Sequence, residues 1–590
     1  MAYRRRSAIA AGTITGVRFA VKSLEPSLMP RSAIDQGLIT GGSFLTGFLA
    51  GSGVARAARA IPIIGSSPVL RLVGLTAAGL RPARMLRSRV GEKPTHHHPA
   101  EGWIEIGAEI AGAIALSGLV DGSTPATKLT TIAAIGIASA ADGQSAIAHR
   151  TDSPDIGYLA TAGGVAAGAN AAAGGLAGLV MVGAKLPTRL TRSSSVLSFL
   201  AAASGGILMA GGIALGVKLA AAKVISGIEA GNAGTEIAFA EAPASHAVSG
   251  STYSLASYDT LGLQGRRLVS DATPPEVIED VMGEPARTDA VRVYVGTASA
   301  ESDDERVELA IQELRRAGGF DRRTIIAASP AGTGYVNYIT VEAAELMARG
   351  DVATVAVQYG GLPSMLSIGR VARASTLYAS LLRRLREEID RLDRDIQLVA
   401  YGESLGALTS QNGVREASGV DGLIVDAALW VGTPLGSALF SELTGNGGVP
   451  VFDRYERYAE AVSRDGERPM VTLLNHDNDP VTKFTPSIAY RMPTWLMPTD
   501  RGRGTNPYQR WLPAIAFWQG LIDTKNAATV VPGEFKSTGH DYRMDLARFV
   551  CVAYGFDNVT DEQMARIEDR LRKSEIRRAG AIAEGRVQTA

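Results

Sequence analysis

The chain has 590 residues, with 59 lysines plus arginines against 59 aspartates plus glutamates. That length exceeds what one hydrophobic core usually organises, so two or more domains are expected, and the balanced charge gives no general attraction to polyanions, so no nucleic-acid partner is expected. The single cysteine, Cys551, excludes an internal disulfide and a thiolate metal cluster.

Residues 1–223 read as a membrane-embedded, all-α region. Three runs, 37–55, 156–184 and 193–217, carry no charge; each is near or above the ~20 residues a helix needs to cross a hydrocarbon core of about 30 Å. A water-soluble helical domain would need a polar face that such runs lack. Weaker helical segments are 7–24, interrupted by Arg18 and Lys22, then 61–80, 103–120 and 129–141. The apolar stretch after Arg6 is brief and runs into Arg18, which suits a signal-anchor or first membrane helix better than a cleavable signal. Glu105 and Glu109, four apart, share one helix face and must meet water or partner groups. They either line a proton or substrate path or pack inward against neighbours. Gly164/Gly168, Gly174/Gly178 and Gly212/Gly216 have the small-residue spacing that lets helices approach in lipid, which predicts a bundle. Together these features predict a multi-pass membrane protein, with the lipid bilayer as a partner. Arg4-Arg5-Arg6 and the basic stretch 81–93 favour a cytoplasmic position, but Lys185, Arg189 and Arg192 must then alternate consistently, and the side of the membrane is left open. His96-His97-His98 lies between Lys93-Pro94 and Pro99 with no carboxylate or thiol nearby to complete a site, so a polar loop and no metal are expected.

From 224 to 289 the chain is polar, with prolines at 243, 274, 275 and 285, and reads as a linker plus the entry to a second, catalytic domain. Residues 290–556 then alternate short β-rich runs with longer amphipathic ones, the pattern of a mostly parallel sheet flanked by helices. Strands are predicted at 291–295, 324–328, 354–358, 396–401, 422–427 and 470–475, with helices at 303–317, 341–349 and 370–392. Residues 557–590 read as a charged C-terminal helix or tail.

The strand 396–401 runs into Gly402-Glu403-Ser404-Leu405-Gly406, after which a helical pattern resumes at 407–411. A nucleophile elbow needs this arrangement, because the sharp turn leaves no room for side chains beside a serine whose hydroxyl projects above the sheet. Ser404 is therefore the candidate nucleophile. A serine hydroxyl needs a histidine to take its proton, and the imidazole needs a carboxylate to fix its tautomer. Both should follow the serine, the acid after a later strand and the histidine in a loop near the end. The strand 470–475 is followed by His476-Asp477-Asn478-Asp479-Pro480, which makes Asp479 the preferred acid, with Asp477 as its rival and Asp426 a distant third. His540, in Thr538-Gly539-His540-Asp541-Tyr542, is the best-placed histidine; His246 and His476 read as surface or structural residues. For an oxyanion hole, one backbone N–H would come from Leu405 and another from the loop holding Gly332, Thr333 and Gly334. That loop is not a phosphate loop, since no Gly-Lys-Ser/Thr follows it. Trp495, Trp511, Phe517 and Trp518 lie between acid and histidine, where they either pack a core or cover the site as a lid.

Over nearly its whole length the chain resembles the actinobacterial membrane-associated α/β-hydrolase family, which joins an N-terminal membrane domain to a catalytic one. The likeness rests on the run Ser23-Leu24-Glu25-Pro26-Ser27-Leu28-Met29-Pro30-Arg31 with Gln36-Gly37, on 330–335 and on Gln358-Tyr359-Gly360-Gly361-Leu362-Pro363-Ser364. It rests equally on 401–407, Asp479-Pro480-Val481, Arg510-Trp511-Leu512-Pro513 and Gly539-His540-Asp541-Tyr542. The loop 531–538 departs from the family's more compact form through Glu534, Phe535 and Lys536, and the first membrane helix is unusually polar. The expected activity is that of an esterase or lipase-like serine hydrolase without cofactor, acting on a lipid or other amphiphilic ester. An acyltransferase would use the same triad, and a membrane transport or scaffolding protein that keeps a hydrolase-like domain is the rival from another class. The substrate and the oligomeric state are left open by the sequence.

Overall fold

The alternation of apolar strands and amphipathic helices after residue 290 folds as a seven-stranded sheet in the computed structural model. The structure describes residues 2–60, 98–122, 124–152, 154–190, 236–363, 367–419, 422–445, 448–465, 468–497, 501–527 and 529–587. The chain divides into two units, Met1–Leu219 with Lys483–Asn526, and Ala220–Thr482 with Ala527–Ala590. Several expected features lie outside the described residues: the runs 61–80 and 193–217, the basic stretch 81–93, His96, His97, Arg192, and Gly212/Gly216.

In the second unit the strands are β1 Val291–Val295, β2 Thr324–Ser329, β3 Val352–Val357, β4 Gln397–Glu403, β5 Ala427–Val431, β6 Val451–Phe452 and β7 Val471–Leu474. Their order is β1-β3-β2-β4-β5-β7-β6, with every neighbouring pair parallel. Both faces are covered, so the strands are mostly apolar and successive residues enter opposite cores. Ile325, Ala327, Leu398 and Ala400 join one core, while Ile326, Ala328, Val399 and Tyr401 join the other. Ser302 and Glu305 form a capping box that starts the helix Asp303–Arg316. Arg292 and Glu345, both fully buried, pair through two contacts of 2.6 and 2.7 Å. Such a pair is strongly destabilising to break, because the remaining charge is left buried.

One expected strand is corrected here. The strand expected at 422–427 is β5, which begins at Ala427; apolar residues flank Asp426 on both sides, so no alternation fixes the strand's start, and Gly422, with φ +136°, belongs to the preceding loop. The two-residue edge strand β6 was too short to be predicted. In the described part of 224–289, expected as a linker plus the entry to the second domain, the helices Gly262–Ser270 and Pro275–Met282 bury Leu268, Val269, Ile278, Val281 and Met282 in the sheet's core. Pro275 opens a helix there, where its missing N–H costs nothing. The C-terminal segment is the helix Asp561–Val587, and Met564, Ile567 and Leu571 bury its inner stripe.

The first unit combines the helices Ala2–Lys22, Ala33–Ala60, Pro99–Gly122, Pro125–Ala148 and Ile156–Leu190 with residues 483–526. That last segment, which by sequence belongs to the catalytic domain, is inserted between β7 and the loop of His540. Glu105 and Glu109 turn inward: Glu109 pairs with Arg18 at 3.1 Å, Glu105 with Lys22, and Glu105 again with Arg510 at 3.0 Å. Asp142 also pairs with Arg18, and Arg510 also contacts Glu25. These ion pairs support inward packing. Arg31 donates to the Glu25 carbonyl at 2.8 Å and to Gln36 at 2.9 Å, while Asp523 accepts from Ser27 and the Leu28 amide. The short motifs at the two ends of the sequence thus build one polar junction.

Close helix approach is real but uses other glycines than the expected pairs. Gly164, Gly168 and Gly174 face open space. A Cβ at Gly12 would meet the Phe48 carbonyl at 2.8 Å, and one at Gly51 would meet the Ala11 carbonyl at 2.9 Å. Trp518 lies against Gly42, and Trp511 is fully buried with its indole N–H on the Ile488 carbonyl at 2.8 Å, so both tryptophans pack the core of this unit. Among the described residues one helix, Ala33–Ala57, is long and apolar enough to cross a membrane. The described residues therefore do not support the expected multi-pass arrangement.

Candidate active site

All the elements of the candidate site end at the carboxyl edge of the sheet, where open α/β sheets place their ligands. β4 passes through Glu403 into Ser404, which has φ +56° and ψ −125°, and the helix Leu405–Ala417 starts directly after it. A Cβ at Gly402 would lie 2.4 Å from the Gly406 carbonyl, and one at Gly406 would lie 2.4 Å from the Ser329 carbonyl. Both glycines are therefore steric requirements of the turn. The Ser404 amide donates to the Val431 carbonyl at 2.9 Å, which fixes the serine's backbone between β4 and β5.

The turn after β7 carries Asp479, which is fully buried. Its Oδ2 receives the His540 Nδ1 at 2.7 Å and the Tyr542 hydroxyl at 2.6 Å, and its Oδ1 accepts the Val481 amide at 2.8 Å. Asp479, rather than Asp477, is thus the partner of His540. Asp426 is removed from consideration: it sits at the amino end of β5, where its carboxylate accepts the Leu398 amide and pairs with Arg386. His476 is fully buried, with Nδ1 on the Gly539 carbonyl at 2.9 Å and Nε2 on Asp545 at 3.1 Å, and so braces the loop that carries His540. Asn478 braces the same loop through Thr538 and the Gly539 amide. His246 is exposed at the surface.

Ser404, His540 and Thr333 line one cavity of about 310 Å³, together with Glu403, Tyr335 and Arg543. Among the described residues no hydrogen bond joins Ser404 to His540; such contacts commonly tighten only with substrate in place. Of the expected oxyanion donors, Leu405 supplies the first amide of its helix, and Thr333 faces the cavity. Gly332 packs against the Leu362 carbonyl and Ser367. Gly334 must be corrected: its amide already donates to the Ala331 carbonyl at 2.8 Å, and with φ +93° it serves the turn and cannot donate to an oxyanion.

Electrostatics favour a basic histidine. Burial alone would lower the His540 pKa, but the adjacent Asp479 carboxylate, aided by Glu403 and Asp541, outweighs it and holds the imidazole above its ordinary value. Burial also pushes the Glu403 carboxyl up, against the pull of His540 and of hydrogen bonds from Asn337 and Tyr401. The Tyr542 hydroxyl is held protonated by burial and by the Asp479 charge, so it remains a donor.

Two residues of the site escaped the sequence. Tyr542 was visible only as part of a motif, and its second role on Asp479 depends on the fold. Gly432, just after β5, has φ +59°, and a Cβ there would lie 2.7 Å from the His540 ring and 2.9 Å from that of Tyr542. Gly432→Ala should therefore displace the imidazole and lower kcat by about 10- to 100-fold, since an error of about 1 Å in a catalytic group can cost that much. Steady-state turnover, with a thermal melt to show retained folding, checks this; unchanged turnover would remove Gly432 from the site.

Two family models match the sequence. One, described as an alpha/beta-hydrolase family, covers residues 291–567; the other, its N-terminal counterpart, covers residues 124–273. No curated protein and no solved structure matches the chain. A parallel sheet with an elbow serine at the end of its central strand agrees with the two matches, and the chain belongs to the α/β-hydrolase family.

Proposed function

We propose that the protein is a serine hydrolase of carboxylic esters, with Ser404 as nucleophile, His540 as general base and acid, and Asp479 as the residue that orients His540. The observation that carries this reading is the 2.7 Å contact between Asp479 and His540 in the same cavity as a serine held at φ +56°. In the reaction Ser404 Oγ attacks the ester carbonyl and its proton passes to His540 Nε2. The carbonyl oxygen becomes an oxyanion near the Leu405 and Thr333 amides; His540 then protonates the leaving alcohol. Water, deprotonated by His540, releases the acyl group and restores the serine. No cofactor takes part in this sequence.

We infer further that the ester is a lipid or another amphiphile and that the first unit meets the bilayer. Support comes from its reversed polarity: Arg18 and Glu109 are 3% and 4% exposed, while Leu129, Ile137 and Ile156 are 71%, 72% and 86% exposed. Water-soluble bundles hide such apolar side chains and show their charges. Release of fatty acid from a lipid panel by the wild type, absent in Ser404→Ala, tests the substrate class, and equal release by both proteins rejects it. Adding an alcohol acceptor to the same assay separates hydrolysis from acyl transfer by the product formed.

The pH profile follows from the direction of the His540 shift. The base must be neutral to accept a proton, so kcat/KM falls as pH drops through the His540 pKa. Because that value is raised, the acid limb should lie above the ordinary imidazole value of about 6.5. An acid limb well below that value would contradict the assigned Asp479–His540 pairing.

A further inference from the structure

A second cleft in the same unit, of about 370 Å³, opens beside the carboxyl ends of β1 and β3. Its lining includes Thr297, Arg306, Gln358, Tyr359, Arg370 and Arg373. Two of these donors are anomalous. Arg306 and Tyr359 are only 4% and 6% exposed, yet Arg306 Nε and the Tyr359 hydroxyl have no hydrogen-bond partner among the described residues. Buried polar atoms are rarely left so, because the lost hydration is not replaced.

The charges around them are largely positive. Arg306 donates Nη1 to the Thr297 carbonyl at 3.2 Å and pairs with Asp303 through Nη2, while Arg373 holds Asp303 at 2.7 Å. Asp259, also on the lining, points its side chain almost wholly into solvent. Three guanidinium groups thus face two carboxylates, and one of those carboxylates is at the solvent rim. A Cβ at Gly360 would lie 3.3 Å from Arg370 Nη1, so the glycine backbone makes room for that guanidinium. Burial and the neighbouring Arg373 both lower the Arg306 pKa, and an anion between them would relieve both.

We propose that this cleft binds a phosphate group, with Arg306 Nε and the Tyr359 hydroxyl as its buried donors and Arg370 and Arg373 as its cationic wall. The donors come from separate elements: the helix Asp303–Arg316, the chain after β3, and the start of the helix Val371–Asp390. A set arranged in three dimensions suits a tetrahedral oxyanion better than a planar carboxylate, which one guanidinium fork would satisfy. Gln358 links the cleft to the catalytic cavity, since its amide donates to the Thr333 carbonyl at 3.1 Å and to the Gly360 carbonyl at 2.7 Å. An occupied cleft therefore braces the loop that offers Thr333 to the oxyanion. The proposal does not depend on Ser404 being a nucleophile.

Calorimetric titration of the full chain with inorganic phosphate and with glycerol 3-phosphate, in a chloride background, tests it. The wild type and Ser404→Ala should show the same saturable binding of one phosphate per chain. Tyr359→Phe, which keeps the ring, should weaken it about tenfold, and Arg306→Gln by more, as loss of a charge-assisted bond implies. Competition by a short-chain phosphatidylglycerol would identify a lipid headgroup as the source, and competition by glycerol 3-phosphate alone would identify a soluble ester. Absence of saturable phosphate binding by the wild type, or equal binding by a folded Tyr359→Phe protein, overturns the proposal.

Discussion

Ser404→Ala is expected to reduce ester turnover by about 10⁶-fold, the scale seen when a catalytic serine acting with its histidine as one unit is removed. The alanine fits without rearrangement: the elbow's geometry is set by Gly402, Gly406 and the Ser404 amide on Val431, none of which involves the hydroxyl. Alanine at φ +56° keeps the same backbone strain as serine, so stability should change little. A variant that melts like the wild type and turns over like it would end the assignment of Ser404.

The second large effect is expected at Asp479. Asp479→Asn preserves the shape of the turn, including acceptance of the Val481 amide, but places an amide next to His540 Nδ1. The imidazole then favours the wrong tautomer and loses the charge that stabilises its protonated form, which costs about 10⁴-fold in kcat where such a triad operates. The Tyr542 hydroxyl donates to the same carboxylate oxygen, so the substitution also disturbs a fully buried donor. Asp477→Asn is the contrasting variant and should leave kcat close to the wild type, because His540 pairs with Asp479. Steady-state rates on one soluble ester decide between them; a large loss at Asp477 with none at Asp479 would reverse the assignment.

What the sequence made legible follows from how strictly local geometry constrains residue type. The elbow could be read because a turn that admits no Cβ demands glycine at 402 and 406. The positions of Ser404 and Asp479 could be read because each follows a strand, and that of His540 because it lies in a later glycine-flanked loop. β5 was misplaced because the apolar residues on both sides of Asp426 offer no alternation against which to set the strand's start. The helices within 236–289 were not placed because Pro274 and Pro275 look like breakers, whereas Pro275 begins a short amphipathic helix. Gly334 looked like an oxyanion donor until its amide was found in the turn.

Long-range contacts were not legible at all. Nothing in the composition of 483–526 announces that it packs with helices near the amino terminus, though Arg510 meets Glu25 and Glu105, and Lys525 meets Asp35. Gly432 is silent in the sequence for the same reason: its constraint is the ring of His540, 108 residues later in the chain. Of the glycines chosen for helix contact, the described Gly164, Gly168 and Gly174 meet open space, whereas Gly12, Gly16, Gly47 and Gly51 make close approaches.

The most direct measurement is active-site labelling of the purified full-length protein with a fluorophosphonate, followed by peptide mapping. A serine activated by His540 should form one covalent adduct, on Ser404, that disappears in Ser404→Ala and is strongly slowed in Asp479→Asn. A folded wild-type protein that stays unlabelled at Ser404, or is labelled elsewhere with equal ease, would contradict the catalytic reading.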